Sequence, residues 1–286
     1  MIVDTHTHVF TNDRKTYPQI ADTPRAGSIP TITDIGQTPW PLTTAEALIG
    51  ELDRAGVGKA TLVQAYFVYE YDNRYTCDSA NAHPDRFVSI CALDPADPHS
   101  PDLLSDLVEN KGVKGIRFMR GRLPKCTLGD PETVPLWQRI ADLKIPLCIH
   151  DKVEELGRVR PMLERFPEMT VAFDHGWGHK VGEPPYGMLR PLFDLAVFPN
   201  TYAKTAINNI EAARGSASTP QRFYTKLVDV FGANRIMWSS NYPAHPRFGG
   251  IASRLAVAKE ELAFLDADAQ SWIFGGTALK VWPWLA

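Results

Sequence analysis

Only four cysteines occur in this chain of 286 residues, and no two of them form a C-x-x-C pair. That excludes the common cysteine-based zinc and dithiol motifs. Cys91 and Cys148 fall inside apolar runs, where a free thiol packs as a small hydrophobe, and Cys77 and Cys126 are read the same way. Blocks of basic residues are also missing and the net charge is only -3, so nucleic acid is not an expected partner. No apolar run reaches the roughly 20 residues that cross a bilayer, so no membrane association is expected. The opening MIVDTHTHVF has neither the basic start nor the long apolar stretch of a secretory signal. Together these absences point to a reducing, cytoplasmic setting. A further absence bears on fold: no strand-like run is followed by G-x-G-x-x-G, the phosphate turn of a doubly wound dinucleotide-binding sheet.

What is present is alternation. Apolar, β-branched runs at Met1–Thr5, Ala60–Tyr66, Phe87–Leu93, Val113–Phe118, Ile145–His150, Thr170–Asp174, Ala196–Tyr202 and Arg235–Ser239 are separated by helical patterns. The clearest helices are Thr44–Ala55, Pro131–Leu143, Leu156–Phe166, Pro220–Phe231 and Ile251–Leu265. Nearly continuous apolar strands separated by helices are the signature of a parallel sheet buried on both faces. Eight of them close most economically as a (β/α)8 TIM barrel, one domain over residues 1–286. The Pro-, Thr- and Gly-rich segment Thr11–Thr43 lacks periodicity and reads as a loop over the barrel mouth. Trp282 and Trp284 read as packing against the barrel.

In such a barrel the chemistry sits at the C-terminal strand ends. There the sequence places His6 and His8 after the first strand, Gln64 and Tyr66 after the second, and Arg117, Arg120 and Arg122 after the fourth. His150 ends the fifth, Asp174 and His175 the sixth, Lys204 follows the seventh and Asn241 the eighth. Residues two apart on a strand face the same way, so the H-x-H imidazoles converge and suit a metal ion. An isolated H-x-H is as readily a buried pair, and it is the companions His150 and His175 that argue for a shared site. The arginines suit a bidentate hold on carboxylate or phosphate, against the plainer reading of a solvated loop. His83 lies at the opposite end of the barrel and reads as structural, whereas His179 and His245 read as solvent-exposed loop residues on the site's side, from which either could reach a substrate.

These segments resemble the amidohydrolase superfamily, in the lactonase branch related to 2-pyrone-4,6-dicarboxylate hydrolase. Val3-Asp4-Thr5-His6-Thr7-His8 looks like the strand-one metal motif, and His83-Pro84-Asp85-Arg86-Phe87 like the lead-in to strand three. Gly112–Arg117, Ile149-His150, Phe173–Gly176 and Ile273–Ala278 match in order. The resemblance implies hydrolysis at a carbonyl, or in some branches decarboxylation or lactone isomerisation, commonly with one divalent metal such as Zn or Mn. His6, His8, His150 and His175 would be its ligands. One departure matters. The branch ends strand eight with an aspartate in a G-[ST]-D-[WYF]-P pattern, and this chain has Ser239-Ser240-Asn241-Tyr242-Pro243. A neutral amide neither ligates a metal as an anion nor serves as a carboxylate base, so a metal would be weakly held. Asparagine also occurs in lactone-isomerising relatives.

The leading expectation is therefore a hydrolase of a small, anionic, carboxylated lactone or ester. Arg117, Arg120, Arg122, Tyr66, Gln64 and Lys204 would bind substrate, His175 or His150 would relay the proton, and Asn241 would orient water. The alternatives are a metal-independent lactone isomerase, a metal-dependent decarboxylase, and a barrel that binds ligand without turnover. Barrels of this kind often pair, so a homodimer is the expected assembly.

Overall fold

The computed structural model describes residues 1–22, 40–119 and 127–286. Eight strands run in one parallel sheet in sequence order, β1 Val3–Thr7, β2 Lys59–Val63, β3 Phe87–Ala92, β4 Ile116–Met119, β5 Leu147–His150, β6 Val171–Phe173, β7 Thr201–Thr205 and β8 Ile236–Trp238. The ends of the sheet meet. Thr7 forms a parallel bridge to Tyr242, the His8 amide donates to the Tyr242 carbonyl at 2.9 Å, and Thr5 Oγ1 donates to the Trp238 carbonyl at 2.8 Å. With helices between the strands, this is a (β/α)8 barrel.

The period-2 alternation of strands divides the apolar residues into two sets. One set, including Ala60, Leu62, Phe87, Ile116, Phe118, Leu147, Ile149, Val171, Phe173 and Ile236, packs with the surrounding helices in the main core. The other, Val63, Val88, Ile90, Cys148, Ala172, Tyr202 and Met237, clusters with Ala278, Val281, Trp282 and Leu285. That second set fills the barrel interior, and the C-terminal segment plugs it from below. Trp282 is completely buried, as packing against the barrel requires, whereas Trp284 is 45 % exposed.

Several helices are bounded as their residues dictate. Thr44 caps Ala45–Ala55 by accepting from the Ala47 amide at 3.3 Å, and Gly56 ends it at φ 67°. Thr219 caps Pro220–Phe231 through the Arg222 amide at 3.2 Å. The Ile251 helix ends at Glu261. Helices at Arg74–Ala82 and Ser100–Lys111, which the sequence reading did not single out, complete the wall beside β3 and β4.

Strand boundaries shift in three places that affect the site. β1 extends to Thr7 rather than ending at Thr5, so His6 lies within the strand. The second strand ends at Val63, and Tyr66 instead opens the one-turn helix Tyr66–Tyr69. The expected seventh strand, Ala196–Tyr202, is displaced to Thr201–Thr205. Residues up to Phe198 close turns, with the Ala196, Phe198 and Thr201 amides donating to Phe193, Leu195 and Phe198, and Pro199 provides no amide for a ladder. Lys204 thereby moves from beyond the strand to inside it.

Of the expected loop Thr11–Thr43, its base is described. Phe10 pairs antiparallel with Thr43, the Phe10 amide donating to the Thr43 carbonyl at 2.9 Å, so the loop leaves and re-enters the barrel at one point. Residues 23–39 lie outside the described part.

Candidate active site

His150, Asp174 and Lys204 each lie two residues beyond an interior strand position, and Arg117 lies between the outward-facing Ile116 and Phe118, which turns their side chains into the barrel. Arg117, Lys204 and His6 meet at Asp174. Its Oδ2 accepts from Arg117 Nε at 2.7 Å, its Oδ1 lies 3.1 Å from Lys204 Nζ, and the same Oδ1 is 3.5 Å from His6 Nδ1. Asp174, Arg117, Lys204 and His6 are all buried. Burial alone pushes the Asp174 carboxyl up, but Lys204, His6 and Arg117 together hold it well below the usual carboxylate range. Asp174 is therefore ionised at neutral pH and anchors two cations.

Four imidazoles crowd above this cluster. The His6 ring centroid is 4.9 Å from that of His8 and 4.7 Å from that of His175, and His150 lies 6.0 Å from His175. Burial holds all four pKa values down, with His8 and His150 at about 3 and Arg117 next in effect on both. All four are neutral at pH 7. His8 has a defined tautomer. Its Nδ1 lies 2.8 Å from the Val63 carbonyl, which only accepts, so Nδ1 carries the hydrogen and Nε2 presents a lone pair. Among the described residues His6 has no hydrogen-bond partner on either nitrogen, nor have His150 Nδ1 and His175 Nδ1.

The H-G-W-G turn after β6 is shaped for these rings. A Cβ on Gly176 would sit 2.5 Å from His150 Cε1, closer than any real contact, so only glycine leaves room for that imidazole. A Cβ on Gly178 would sit 2.0 Å from Asn209 Nδ2, the amide that donates to the His175 carbonyl at 3.0 Å. Asn209 also accepts from the Ala206 amide at 2.7 Å, fixing the turn to the start of the next helix.

A cavity of about 120 Å³ opens at this end of the barrel. Its wall includes His8, Arg117, His150, His175 and Asn241 from the expected set, and His179, His245, Trp40, Phe67, Met119 and Ala244 besides. His179 is exposed as expected, His245 is half-buried rather than exposed, and both reach the mouth. Trp40, where the described part of the long loop resumes after residue 39, stacks on His8 at 5.3 Å and 20°. Nothing in the composition marked Trp40, Phe67 or Met119, which are apolar residues like any other until the fold brings them here. His83 lies apart, capping Arg74–Ala82, with Nε2 3.6 Å from Glu46 Oε1.

Three expected substrate contacts are placed elsewhere. Gln64 spends its amide on the protein, donating to the Glu70 and Asp72 carbonyls at 3.0 and 2.9 Å and accepting from Thr76 Oγ1 at 2.6 Å. Tyr66 is buried in a small cluster with Ile20 and Met119 because its backbone has already turned into a helix. Lys204 lies beneath Asp174, its Nζ 3.2 Å from Cys148 Sγ and 5.1 Å from the Trp282 ring. Arg120 and Arg122 lie outside the described residues.

Among the described residues no three His, Cys, Asp or Glu side chains group as ligands for one ion. Asn241 is neutral, and no carboxylate lines the cavity among those residues. Asp174, the nearest anion, is already neutralised by two cations. The described donors fall short of a metal centre.

Comparison with known proteins agrees with the fold and order of these elements. The amidohydrolase family model matches residues 3–284. L-fucono-1,5-lactonase of Burkholderia ambifaria is 25% identical over 262 residues, covering 84% of this chain and 88% of the relative. A probable 2-pyrone-4,6-dicarboxylic acid hydrolase of Acinetobacter baumannii, solved with citric acid bound, superposes with a TM-score of 0.77 at 18% identity over 99% of both chains. An amidohydrolase of Burkholderia multivorans with bound zinc superposes with a TM-score of 0.71 at 16% identity, again over 99% of both. The chain belongs to the amidohydrolase family of enzymes.

Proposed function

We propose that this enzyme hydrolyses a small lactone bearing a carboxylate, without relying on a metal ion. The observation that carries the reading is that Arg117 and the neutral imidazoles of His8, His150 and His175 line one cavity at the C-terminal strand ends. The lactonase relative supports a sugar-lactone skeleton. Arg117 holds the substrate carboxylate, its position fixed by Asp174. His8 is the base. Its Nε2 lone pair accepts the proton of a water whose oxygen attacks the lactone carbonyl, while Nδ1–H stays on the Val63 carbonyl. The Asn241 amide and the N–H of His175 or His150 receive the oxyanion. Collapse breaks the ring C–O bond, and the leaving alkoxide takes the proton back from His8. Arg120 and Arg122 complete the anion hold in this proposal. Among the described residues Cys77, Cys91 and Cys148 are free and buried, which fits a reducing compartment such as the cytoplasm.

A second reading is isomerisation, in which a substrate hydroxyl attacks the carbonyl in place of water. It is favoured by Asn241, because an intramolecular nucleophile needs no carboxylate base. Turnover of a panel of carboxylated and neutral sugar lactones, followed by NMR of the products, separates the two. A ring-opened acid supports hydrolysis, a changed ring size supports isomerisation, and released carbon dioxide overturns both. His8→Ala and His175→Ala should each lower kcat/KM by about 10²-fold or more. Near-normal turnover in His8→Ala removes it as the base.

A further inference from the structure

We propose that Arg254 is a positioning residue for the active-site cavity, acting by clamping the loop that follows β8. The proposal rests on the cavity being the site of the reaction above. Arg254 lies in the first turn of the Ile251–Glu261 helix and is 1% exposed. Its guanidinium donates to four backbone carbonyls of that one loop. Nε reaches Gly249 at 3.0 Å, Nη1 reaches Ser240 at 3.0 Å and Asn241 at 3.1 Å, and Nη2 reaches His245 at 3.1 Å. The Ser240 amide is held from the other side by Asp4 Oδ1 at 2.9 Å.

The clamped segment supplies Asn241, Ala244 and His245 to the cavity wall. Two of these, Asn241 at φ 55° and His245 at φ 54°, sit in the left-handed region that non-glycine residues avoid. Such conformations persist only where the surroundings over-determine them. Arg254 supplies that determination, since it bonds the carbonyls of both strained residues. Among the described residues it has no carboxylate within ion-pair distance, only the Tyr242 ring at 5.4 Å, and burial lowers its pKa to about 10. Burying a cation against carbonyls alone is costly, and what that cost secures here is the direction of two cavity side chains. A lysine cannot replace it, because one ammonium cannot span carbonyls spread over ten residues as a planar fork does.

The test measures lactone turnover and far-UV circular dichroism for Arg254→Lys and Arg254→Ala, the latter with and without guanidinium chloride at low millimolar concentration. We expect folded proteins, a kcat/KM loss of about 10²-fold carried in both kcat and KM, and saturable partial recovery of Arg254→Ala by guanidinium but not by sodium. Arg254→Lys within about twofold of the parent, or a loss that guanidinium leaves untouched, overturns the clamp. A second readout covers misfolding and an inactive parent alike. The Asn241 side-chain amide resonances should move in Arg254→Lys, and unmoved resonances overturn the proposal. An inactive parent with moved resonances sinks the proposed reaction and leaves the clamp standing.

Discussion

Lys204 Nζ lies 3.1 Å from Asp174 Oδ1, and neither side chain has any exposed surface. Lys204 is not among the residues that line the cavity, whereas Arg117 is. It holds the carboxylate that in turn holds Arg117.

This separates positioning from binding at Lys204. In Lys204→Met, Asp174 keeps Arg117 as its partner, so the fold should survive. Steady-state kinetics should show kcat down about tenfold or more, worth about 1.4 kcal/mol of barrier, with KM changed less than about twofold. A rise in KM at constant kcat would instead assign Lys204 to the substrate.

Gly176 should resist even alanine. The added Cβ would stand 2.5 Å from His150 Cε1, and overpacking of this kind costs about 1–3 kcal/mol. Gly176→Ala should therefore unfold at lower urea and lose activity more than its stability loss accounts for, since the imidazole is what must move. Activity equal to the parent would show that the His150 ring has freedom the packing denies it.

Asn241→Asp should fold, because aspartate tolerates a φ of 55° nearly as well as asparagine. It adds the carboxylate that the cavity wall lacks among the described residues. Elemental analysis of purified protein should find little divalent metal in the parent and a clear rise in the variant. A near-stoichiometric metal in the parent would show that the histidines suffice.

Acid should destabilise the fold early. His8 and His150 have pKa values held down to about 3 from the usual 6.5, and His6 and His175 are lowered too. Below pH 6.5 the unfolded chain therefore binds protons that the folded chain refuses, and stability falls as pH drops towards 3. Asp4 works the other way between its ordinary 3.8 and its folded value of about 6, where burial makes the folded chain the better proton acceptor. Four histidines outweigh one aspartate. The unfolding free energy from urea titrations should fall between pH 7.5 and 5, by up to about 1.4 kcal/mol per pH unit for each histidine, and His150→Asn should flatten the curve. A level free energy across that range would contradict neutral, buried imidazoles.

The sequence by itself determined the barrel and the polar ends of its strands. Apolar runs of strand length separated by helical periods have few ways to bury both faces of a sheet, so eight of them implied closure, and polar residues just after those runs had to collect at one rim. His6, His8, His150, His175, Arg117 and Asn241 were legible for that reason. Tertiary structure decided the rest. A slip of a few residues at β7 carried Lys204 from the rim into the interior, and a turn after Val63 withdrew Tyr66, because strand ends are set by where hydrogen-bond ladders stop rather than by local composition. The Arg117 bond to Asp174, the space Gly176 leaves for His150, and the Arg254 clamp on Asn241 depend on contacts between residues 57, 26 and 13 positions apart in the chain. Such contacts have no local signature, since it is chain closure in three dimensions that brings their atoms within bonding distance.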